Sequence, residues 1–301
     1  MDEAPTALGL TPAQTADVLA AAGRAPSPGN SQPWRFRVEP GAITLLADRG
    51  RRMPATDPDD RELRLACGAA LYTLRLALHG HGVRPLVTVL PDRGRPDVIA
   101  VVRHGGHRPA TPGERRLIEA VRRRRTDPHP FADTPVTAPE QYALRRAAQD
   151  EGAWLQVLDG AAERRSVRGL AAAARHEQLA GAPDDAWARR DVSGAGPAEG
   201  HQSEPLLAVL TAHLSGHAAD VQAGQALQKV LLTATAEGLS ASLLSQVVEV
   251  ARTRERLRRL VHGTRAPHAV LRIGRGWPVV ATPRRPVADL IASGPEPAAA
   301  G

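Results

Sequence analysis

The chain is poor in cysteine, in aromatic residues and in long apolar stretches. Of its 301 residues Cys67 is the only cysteine, which excludes an intrachain disulfide and any metal site built from several cysteines. Aromatic residues make up 3% of the chain, so its core must be aliphatic. No apolar run approaches a membrane span, and the first ten residues, MDEAPTALGL, are acidic and lack the basic start of a signal peptide. These absences predict a cytoplasmic protein without a membrane partner.

Lysine is almost absent as well, although the chain carries a formal net charge of +7. Lys229 is the only lysine, and the arginines are spread among acidic residues along the whole chain. Proteins that bind single-stranded nucleic acid combine basic residues with aromatic ones for base stacking, and this chain does not. We therefore expect no nucleic-acid partner. The few dense arginine clusters are better explained by a local phosphate site.

Several familiar catalytic patterns are also missing. The sequence has no Walker loop, no Gly-x-Gly-x-x-Gly fingerprint and no Ser-His-Asp order. Two histidine pairs, in HGGH at 104–107 and HLSGH at 213–217, have spacings that a metal ion uses, but they lack cysteine or carboxylate partners, and we predict no metal site. Cys67 lies in the helical pattern RLACGAALYTL, which indicates a buried structural thiol rather than a nucleophile.

The residues that are present make an ordinary globular composition, 42% hydrophobic and 24% charged, and the length fits one large domain or two units. Hydrophobic periodicity and turn signals predict helices at 11–23, 57–82, 112–124, 138–151, 161–180 and 220–238. They predict strands at 34–38, 42–48, 84–90, 97–103, 153–159, 205–212 and 267–274. The helix at 11–23 has Thr11 as its N-cap and Pro12 as its first residue.

The chain also contains a weak internal repeat. Residues 67–83 align without gaps on residues 223–239, and Gly68 and Gly224 are among the identical positions. In both copies this segment is preceded by a helix and then by a strand that starts near a tryptophan. Any two amphipathic helices share some leucine and alanine spacing, but the matching order of elements favours a true repeat.

The two copies differ in their polar segments. Only the first contains APSPGNSQPW at 25–34, whereas RRRRT at 122–126 precedes the second copy and TPRRP at 282–286 follows it. Two fused copies that kept different pieces would form a dimer within one chain. Such a chain would have one complete ligand site, at the interface between the copies.

These segments resemble the FMN-dependent nitroreductases. APSPGNSQPWRF is similar to the family's Pro-Ser-x-x-Asn-x-Gln-Pro-Trp loop, and RRRRTDPHPF to its Arg-Arg-Ser/Thr phosphate motif. AGQALQKVLLTATAEGLSASLLSQ resembles the family's central helix with the segment after it, and VLRIGRGWPVVATPRRP its C-terminal strand and basic tail. The resemblance covers nearly the whole chain, and the tandem layout is most similar to the actinobacterial Acg-type branch, in which two nitroreductase-like halves form one chain.

The resemblance implies an α+β, nitroreductase-like fold. It would consist of two pseudo-symmetric halves, each a central antiparallel-type sheet flanked by helices, in one chain that mimics the usual homodimer. We expect the N-terminal half at residues 1–121 and the C-terminal half at residues 122–301. The second half would include a lid-like insertion near 183–205 and a flexible C-terminal tail. The chain could be a pseudo-dimeric monomer or form a homodimer.

The resemblance also implies which residues bind FMN. The phosphate would be held by Arg124, Arg125, Thr126, Arg284 and Arg285. The loop would contribute Pro26, Ser27, Gly29, Asn30 and Gln32. One edge of the flavin ring would be lined by Leu244, Ser245 and Gln246.

Physical reasoning supports this assignment in part. Arginine forks bind phosphate oxygens bidentately, and an asparagine both donates and accepts, which suits the mixed edge of a flavin. Gln32 is either a flavin ligand or a hydrogen bonder within the loop, and Trp34 is expected to be a core anchor for the following strand.

Two positions depart from the family pattern. Asp127 and Pro128 stand where another basic residue is usual, so the affinity for phosphate would be reduced or shared with His129. The residues 220–222, Asp-Val-Gln, replace the usual Asp-Trp-Leu, and the loss of that tryptophan favours a wider pocket.

The implied function is an FMN-dependent oxidoreductase that transfers hydride from NAD(P)H to a small organic acceptor. No catalytic residue is assigned, because the flavin carries the chemistry. One alternative is a flavin storage or sequestration protein with little turnover, in which the lid near 183–205 excludes the nicotinamide. Another is a natural-product tailoring dehydrogenase that returns its electrons to oxygen.

Overall fold

The computed structural model describes residues 5–181 and 205–292. The expected lid-like insertion, apart from Pro205, and the expected flexible tail at 293–301 lie outside the described residues.

The described chain alternates helices and strands. The helices are α1 Pro12–Ala22, α2 Arg61–Gly80, α3 Pro112–Arg123, α4 Ala138–Gln149, α5 Ala161–Gly181, α6 His217–Ala236, α7 Gln246–Glu249, α8 Ala251–Leu260 and α9 Val287–Leu290. The strands are β1 Trp34–Glu39, β2 Ala42–Ala47, β3 Val83–Val89, β4 Val98–His107, β5 Ala153–Val157, β6 Leu206–Ala212, β7 Ser240–Leu243 and β8 Ala269–Gly274. All helices and strands predicted from the sequence are found, whereas β7, α7, α8 and α9 were not predicted.

Local capping explains where several helices begin. In α1 the Thr11 hydroxyl accepts a hydrogen bond from the backbone N–H of Gln14, whose side chain in turn accepts from the Thr11 N–H. The same capping box, again followed by a proline in the first turn, begins α3 and α4. Helix α2 begins at Arg61, later than predicted, because the Asp57 carboxylate accepts from the N–H groups of Arg61 and Leu63.

The strands form two four-stranded antiparallel sheets with the same topology. The first has the order β1-β2-β4-β3 and the second the order β5-β6-β8-β7. Along the chain, the elements of each half follow the order helix, two strands, helix, two strands. The second half has α5 in addition, between β5 and β6, and α7 and α8 between β7 and β8. The fold therefore consists of two pseudo-symmetric halves, as predicted. The proposed boundary at residues 121 and 122 falls within the last turn of α3.

The long helices α2 and α6 cross at the glycines that the repeat aligned. A Cβ atom on Gly224 would lie 1.9 Å from the carbonyl oxygen of Leu65, and one on Gly68 would lie 2.2 Å from that of Val221. The two glycines also face each other, since each Cβ would come within about 3 Å of the other's Cα. The helices thus touch through their backbones, and only glycine fits at either position.

Each half contributes to the other's hydrophobic core at this crossing. Leu65 of α2 packs in the core of the second sheet, and Val221 of α6 packs in the core of the first. These two residues are aligned with each other when the repeat register is extended towards the helix N-termini. The halves are therefore joined through aliphatic packing.

A buried ionic network accompanies the crossing. The Asp220 carboxylate accepts a hydrogen bond from Arg64 Nε at 2.9 Å and lies 3.4 Å from His268 Nε2 and 3.7 Å from Arg61 Nε. Burial alone would raise the pKa of Asp220, but these partners outweigh burial and hold the pKa below its ordinary value. Asp220 thus connects α6 to the first turn of α2.

Two residues noted in the sequence are confirmed as core residues. Trp34 is fully buried among the aliphatic residues of the first sheet and α2. Cys67 is also fully buried; its thiol donates to the Pro33 carbonyl, and burial raises its pKa. A buried thiol held in this way is unsuited to nucleophilic attack.

Within the described ranges, no helix is long and apolar enough to span a membrane.

We predict that Gly224→Ala destabilises the protein by about 1–3 kcal/mol or more, because the new methyl group forces the two central helices apart. Gly169→Ala is the matched control: Gly169 lies in the exposed face of α5, where a Cβ meets no atom within 4 Å. The control is expected to gain about 0.5–1 kcal/mol from helix propensity. Urea unfolding measures both, and a Gly224→Ala protein as stable as wild type would contradict the backbone contact.

Candidate functional site

A cavity of about 360 Å³ lies beside the helix crossing and is lined by residues of both halves. We call it the central cavity. Its lining residues are Pro26, Ser27, Pro28, Gly29, Asn30, Glu62, Leu65, Arg124, Arg125, Thr126, Pro128, Leu227, Leu243, Ser245, Val280, Thr282 and Arg284.

Most of the residues predicted to bind the cofactor are brought together here. Those that line the cavity are Pro26, Ser27, Gly29, Asn30, Arg124, Arg125, Thr126, Ser245 and Arg284. The predicted residues outside its lining are Gln32, Leu244, Gln246 and Arg285. Leu244 is buried in a core cluster with α5, α7 and α8, and Gln246 is the first residue of α7.

The proline loop, residues 26–34, has an unusual backbone. Pro28–Asn30 forms a single 3₁₀ turn, with φ at +58° for Gly29 and Asn30, and Gln32 has φ of +49°. Non-glycine residues rarely adopt positive φ, so contacts elsewhere must hold this shape. One is local: the Ser27 hydroxyl accepts from the Gln32 N–H at 2.9 Å.

The other contacts come from the C-terminal segment. Asn30 accepts from Arg284 Nη1 at 2.8 Å and donates its Nδ2–H to the Pro283 carbonyl at 2.9 Å. The Gln32 side chain accepts from the Arg285 N–H at 2.9 Å and donates to the Asn30 carbonyl. Gln32 thus makes hydrogen bonds within the protein, which is one of the two roles left open for it.

Arg285 hydrogen-bonds to the proline loop and does not line the central cavity. Its Nη1 donates to the carbonyls of Gln32 and Trp34, both at 3.2 Å, and lies 3.5 Å from the Asp48 carboxylate. A substitution of Arg285 would therefore affect ligand binding only indirectly, by changing the conformation of the proline loop.

Among the residues that the structure describes, the charged groups that shift the pKa values of the arginines at one end of the central cavity are other arginines and not acids. Arg124 is 4% exposed, and burial, then the charges of Arg284, Arg125 and Arg24, lower its pKa to about 9. Burial, then Arg24 and Arg125, lower the pKa of Arg284 to about 10. Both groups stay charged at neutral pH, so the end of the cavity has a strong positive potential.

Hydrogen bonding at these arginines is incomplete as well. Among the described residues, the Nε atoms of Arg124 and Arg284 have no hydrogen-bond partner. Arg124 Nη1 donates to the Thr126 hydroxyl at 3.3 Å, and Arg284 Nη1 donates to the Thr282 hydroxyl at 2.5 Å. Buried donors without acceptors are unfavourable, and an anion at this position would satisfy them.

Asp127, which stands where the family usually has a basic residue, does not neutralise the charge of these arginines. Asp127 is 1% exposed and accepts from the N–H and from Nδ1 of His129, both at 3.0 Å. Neither Asp127 nor His129 lines the central cavity, whereas Pro128 does. The suggested sharing of a phosphate with His129 therefore has no geometric support.

Several lining residues were missed by the sequence analysis. Glu62 is the only acidic residue among the described residues of the lining, and Leu65 lies one turn further along α2. Val280 and Thr282 come from the segment after β8. None belongs to a motif; the repeat, which places α2 at the interface, was the one signal that pointed to the first two.

The cavity combines apolar walls with a cationic end. Leu65, Leu227 and Leu243 offer surface to a flat apolar group, while Arg124 and Arg284 offer donors to an anion. No group of three or more His, Cys, Asp or Glu able to hold a metal occurs in residues 5–181 and 205–292.

Comparison with known proteins gives relatives along almost the whole chain, although no family model matches it. "Putative NAD(P)H nitroreductase Rv3131" of Mycobacterium tuberculosis is 31% identical over 313 residues, covering 91% of this chain and 90% of that protein. "Putative NAD(P)H nitroreductase acg" of the same organism is 29% identical and covers 89% of this chain and 92% of that protein.

Solved structures show a partial likeness. B. megaterium NfrA2 is similar with a TM-score of 0.44 at 15% identity, over 60% of this chain and 75% of that chain. A Bacteroides fragilis nitroreductase with bound FMN is similar with a TM-score of 0.41 at 14% identity, over 56% and 93%.

With this identity over nearly its full length, the chain belongs to the NAD(P)H nitroreductase family, in its Acg-type branch.

Proposed function

We propose that the chain is an FMN-dependent oxidoreductase that passes hydride from NAD(P)H to a small organic acceptor. The single observation that carries the proposal is the pair formed by the buried Arg124 and the half-buried Arg284 at one end of the central cavity, with no compensating acid among the described residues. Membership in the NAD(P)H nitroreductase family supports the same chemistry.

The phosphate of FMN fits this pair chemically. A phosphate dianion would supply the acceptors that both Nε atoms lack, and it would offset the charge that burial leaves unfavourable. The Thr126 hydroxyl lines the same end and adds a donor. Asn30, which already bonds Arg284, would act by positioning that guanidinium.

The rest of the cavity suits the flavin ring. Leu65, Leu227 and Leu243 would pack against its apolar faces and exclude water, and Ser245 would lie at its edge. When bound, FMN supplies a carrier that accepts and releases a hydride. The protein's own contribution is to bind, orient and shield it, using side chains from both halves.

We predict that Arg124→Ala and Arg284→Ala each weaken FMN binding about 10- to 100-fold, the loss expected for a charge-assisted hydrogen bond. Riboflavin, which lacks the phosphate, should bind wild type and variants with similar affinity. Arg123→Ala is the matched control, because Arg123 is exposed and does not line the cavity. Quenching of flavin fluorescence gives the dissociation constants.

The variants should still fold, because removing a buried, uncompensated charge does not take away a stabilising pair. Thermal unfolding of the flavin-free proteins checks this. If folded variants keep the wild-type affinity for FMN, the phosphate assignment is wrong.

We also predict that NADH or NADPH, added without oxygen, bleaches the flavin absorbance of the purified holoprotein, and that a quinone or nitroarene restores it. Bound flavin that neither nucleotide reduces would favour storage, or a dehydrogenase that takes electrons from its own substrate. A colourless protein that does not bind added FMN would contradict the proposed function altogether.

A further inference from the structure

Glu62, in the first turn of α2, separates two cavities. It lines the central cavity, and it also lines a second cavity of about 210 Å³ between residues 55–62 and the helices α5, α7 and α8. We call this second one the acidic cavity. Of the residues that line the two cavities, Glu62 is the one they have in common.

A second carboxyl group stands next to Glu62. Glu249, at the end of α7, lines the acidic cavity, and its charge raises the pKa of Glu62 more than any other carboxylate does among the described residues. It accepts a hydrogen bond from Gln178 Nε2 at 2.6 Å and another from the Ser245 hydroxyl. Because Ser245 lines the central cavity, Glu249 lies directly behind that cavity's wall.

The surroundings favour a proton on both groups. Burial, then the charges of Glu249, Asp57 and Asp220, raise the pKa of Glu62 well above its ordinary value, and the guanidinium of Arg61 opposes them. Arg254 of α8 also faces Glu62. Burial likewise raises the pKa of Glu249, with help from Asp57, although Gln178 and Ser245 stabilise its charged form.

We propose that Glu62 is the proton donor to the acceptor bound in the central cavity and that Glu249 returns a proton to it from the acidic cavity. This inference rests on the proposed function. It assigns a catalytic role to Glu62 and a positioning and relay role to Glu249.

The step balances as follows. The acceptor gains two electrons and one proton as the hydride that originates in the reduced nicotinamide. Its second proton comes from the Glu62 carboxyl, whose O–H bond breaks as a bond to an acceptor oxygen or nitrogen forms. The Glu62 carboxylate then takes a proton from Glu249, and the Glu249 carboxylate is reprotonated by a proton from bulk solvent that enters through the acidic cavity. In total, acceptor, NAD(P)H and one proton give reduced acceptor and NAD(P)⁺.

The test compares two electron acceptors with Glu62→Gln. A quinone must gain protons when it is reduced, whereas ferricyanide gains only electrons. After reduction of the bound flavin, stopped-flow absorbance measures its reoxidation by each acceptor. General acid catalysis typically contributes 10²–10⁴-fold, so the ratio of the quinone rate to the ferricyanide rate should fall about 100-fold or more. The same ratio as in wild type would overturn the proposal.

Glu249→Gln provides an independent variant should Glu62→Gln fail to fold. As pH rises, Glu249 loses its proton before Glu62, whose pKa is raised further, and its new charge then keeps Glu62 protonated. Glutamine at 249 cannot acquire that charge, so the quinone rate should decline at lower pH than in wild type. Glu119 is an exposed carboxyl on α3, and Glu119→Gln is the matched control. It should leave the dependence of the quinone rate on pH unchanged. A Glu249→Gln profile that coincides with wild type would overturn the relay.

A flavin-free measurement separates this inference from the proposed function. A carboxyl whose pKa is raised by folding makes the folded state bind more protons than the unfolded one, so stability falls as pH rises from about 4 through the folded pKa. Urea unfolding of the apoprotein should show this fall, and Glu62→Gln should reduce it. If FMN does not bind, the proposed function fails with the proton role; if FMN binds and turns over but the fall is the same in Glu62→Gln, only the proton role fails.

Discussion

The two central helices touch through their backbones at Gly68 and Gly224, and the position of the candidate site follows from that contact. Leu65 and Leu227 lie three residues from these glycines, on the same faces of α2 and α6, and both line the central cavity. A larger residue at either glycine would separate the helices and change the width of the cavity between them. The same contact brings residues of each half within reach of a ligand that neither half could enclose alone.

Fusion of the halves permits pairings that a symmetric dimer cannot make. Arg64 and Asp220 occupy aligned positions of the repeat, so a dimer of identical chains would place two like charges there. In the single chain they form a buried hydrogen-bonded pair at 2.9 Å. The same freedom allows the proline loop in one half to bind Arg284 near the end of the other, giving one site with distinct parts.

The sequence predicted those features that depend on local signals. The N-cap Thr11 and Pro12 located the start of α1, and the repeat aligned Gly68 with Gly224, which the structure shows to be the point where the helices cross. It did not predict β7, whose four residues form a strand only because β8 pairs with them. It did not predict the long-range hydrogen bonds between Gln32 and Arg285, two residues that it expected at the ligand. Contacts between residues so distant in sequence leave no periodicity to detect.

The charges of the central cavity are arranged so that they do not cancel one another. Glu62 and Arg124 line the same cavity, yet within residues 5–181 and 205–292 the charged groups that influence the pKa of Arg124 are arginines and not carboxylates. A carboxylate placed against Arg124 would stabilise the protein and would also compete with any phosphate for the same donors. The arginines thus keep their charge for the anionic ligand that we propose, and burial with the neighbouring carboxylates raises the pKa of Glu62. On the proposed assignments, this arrangement lets the arginines bind an anion while Glu62 keeps a proton to donate within the same cavity.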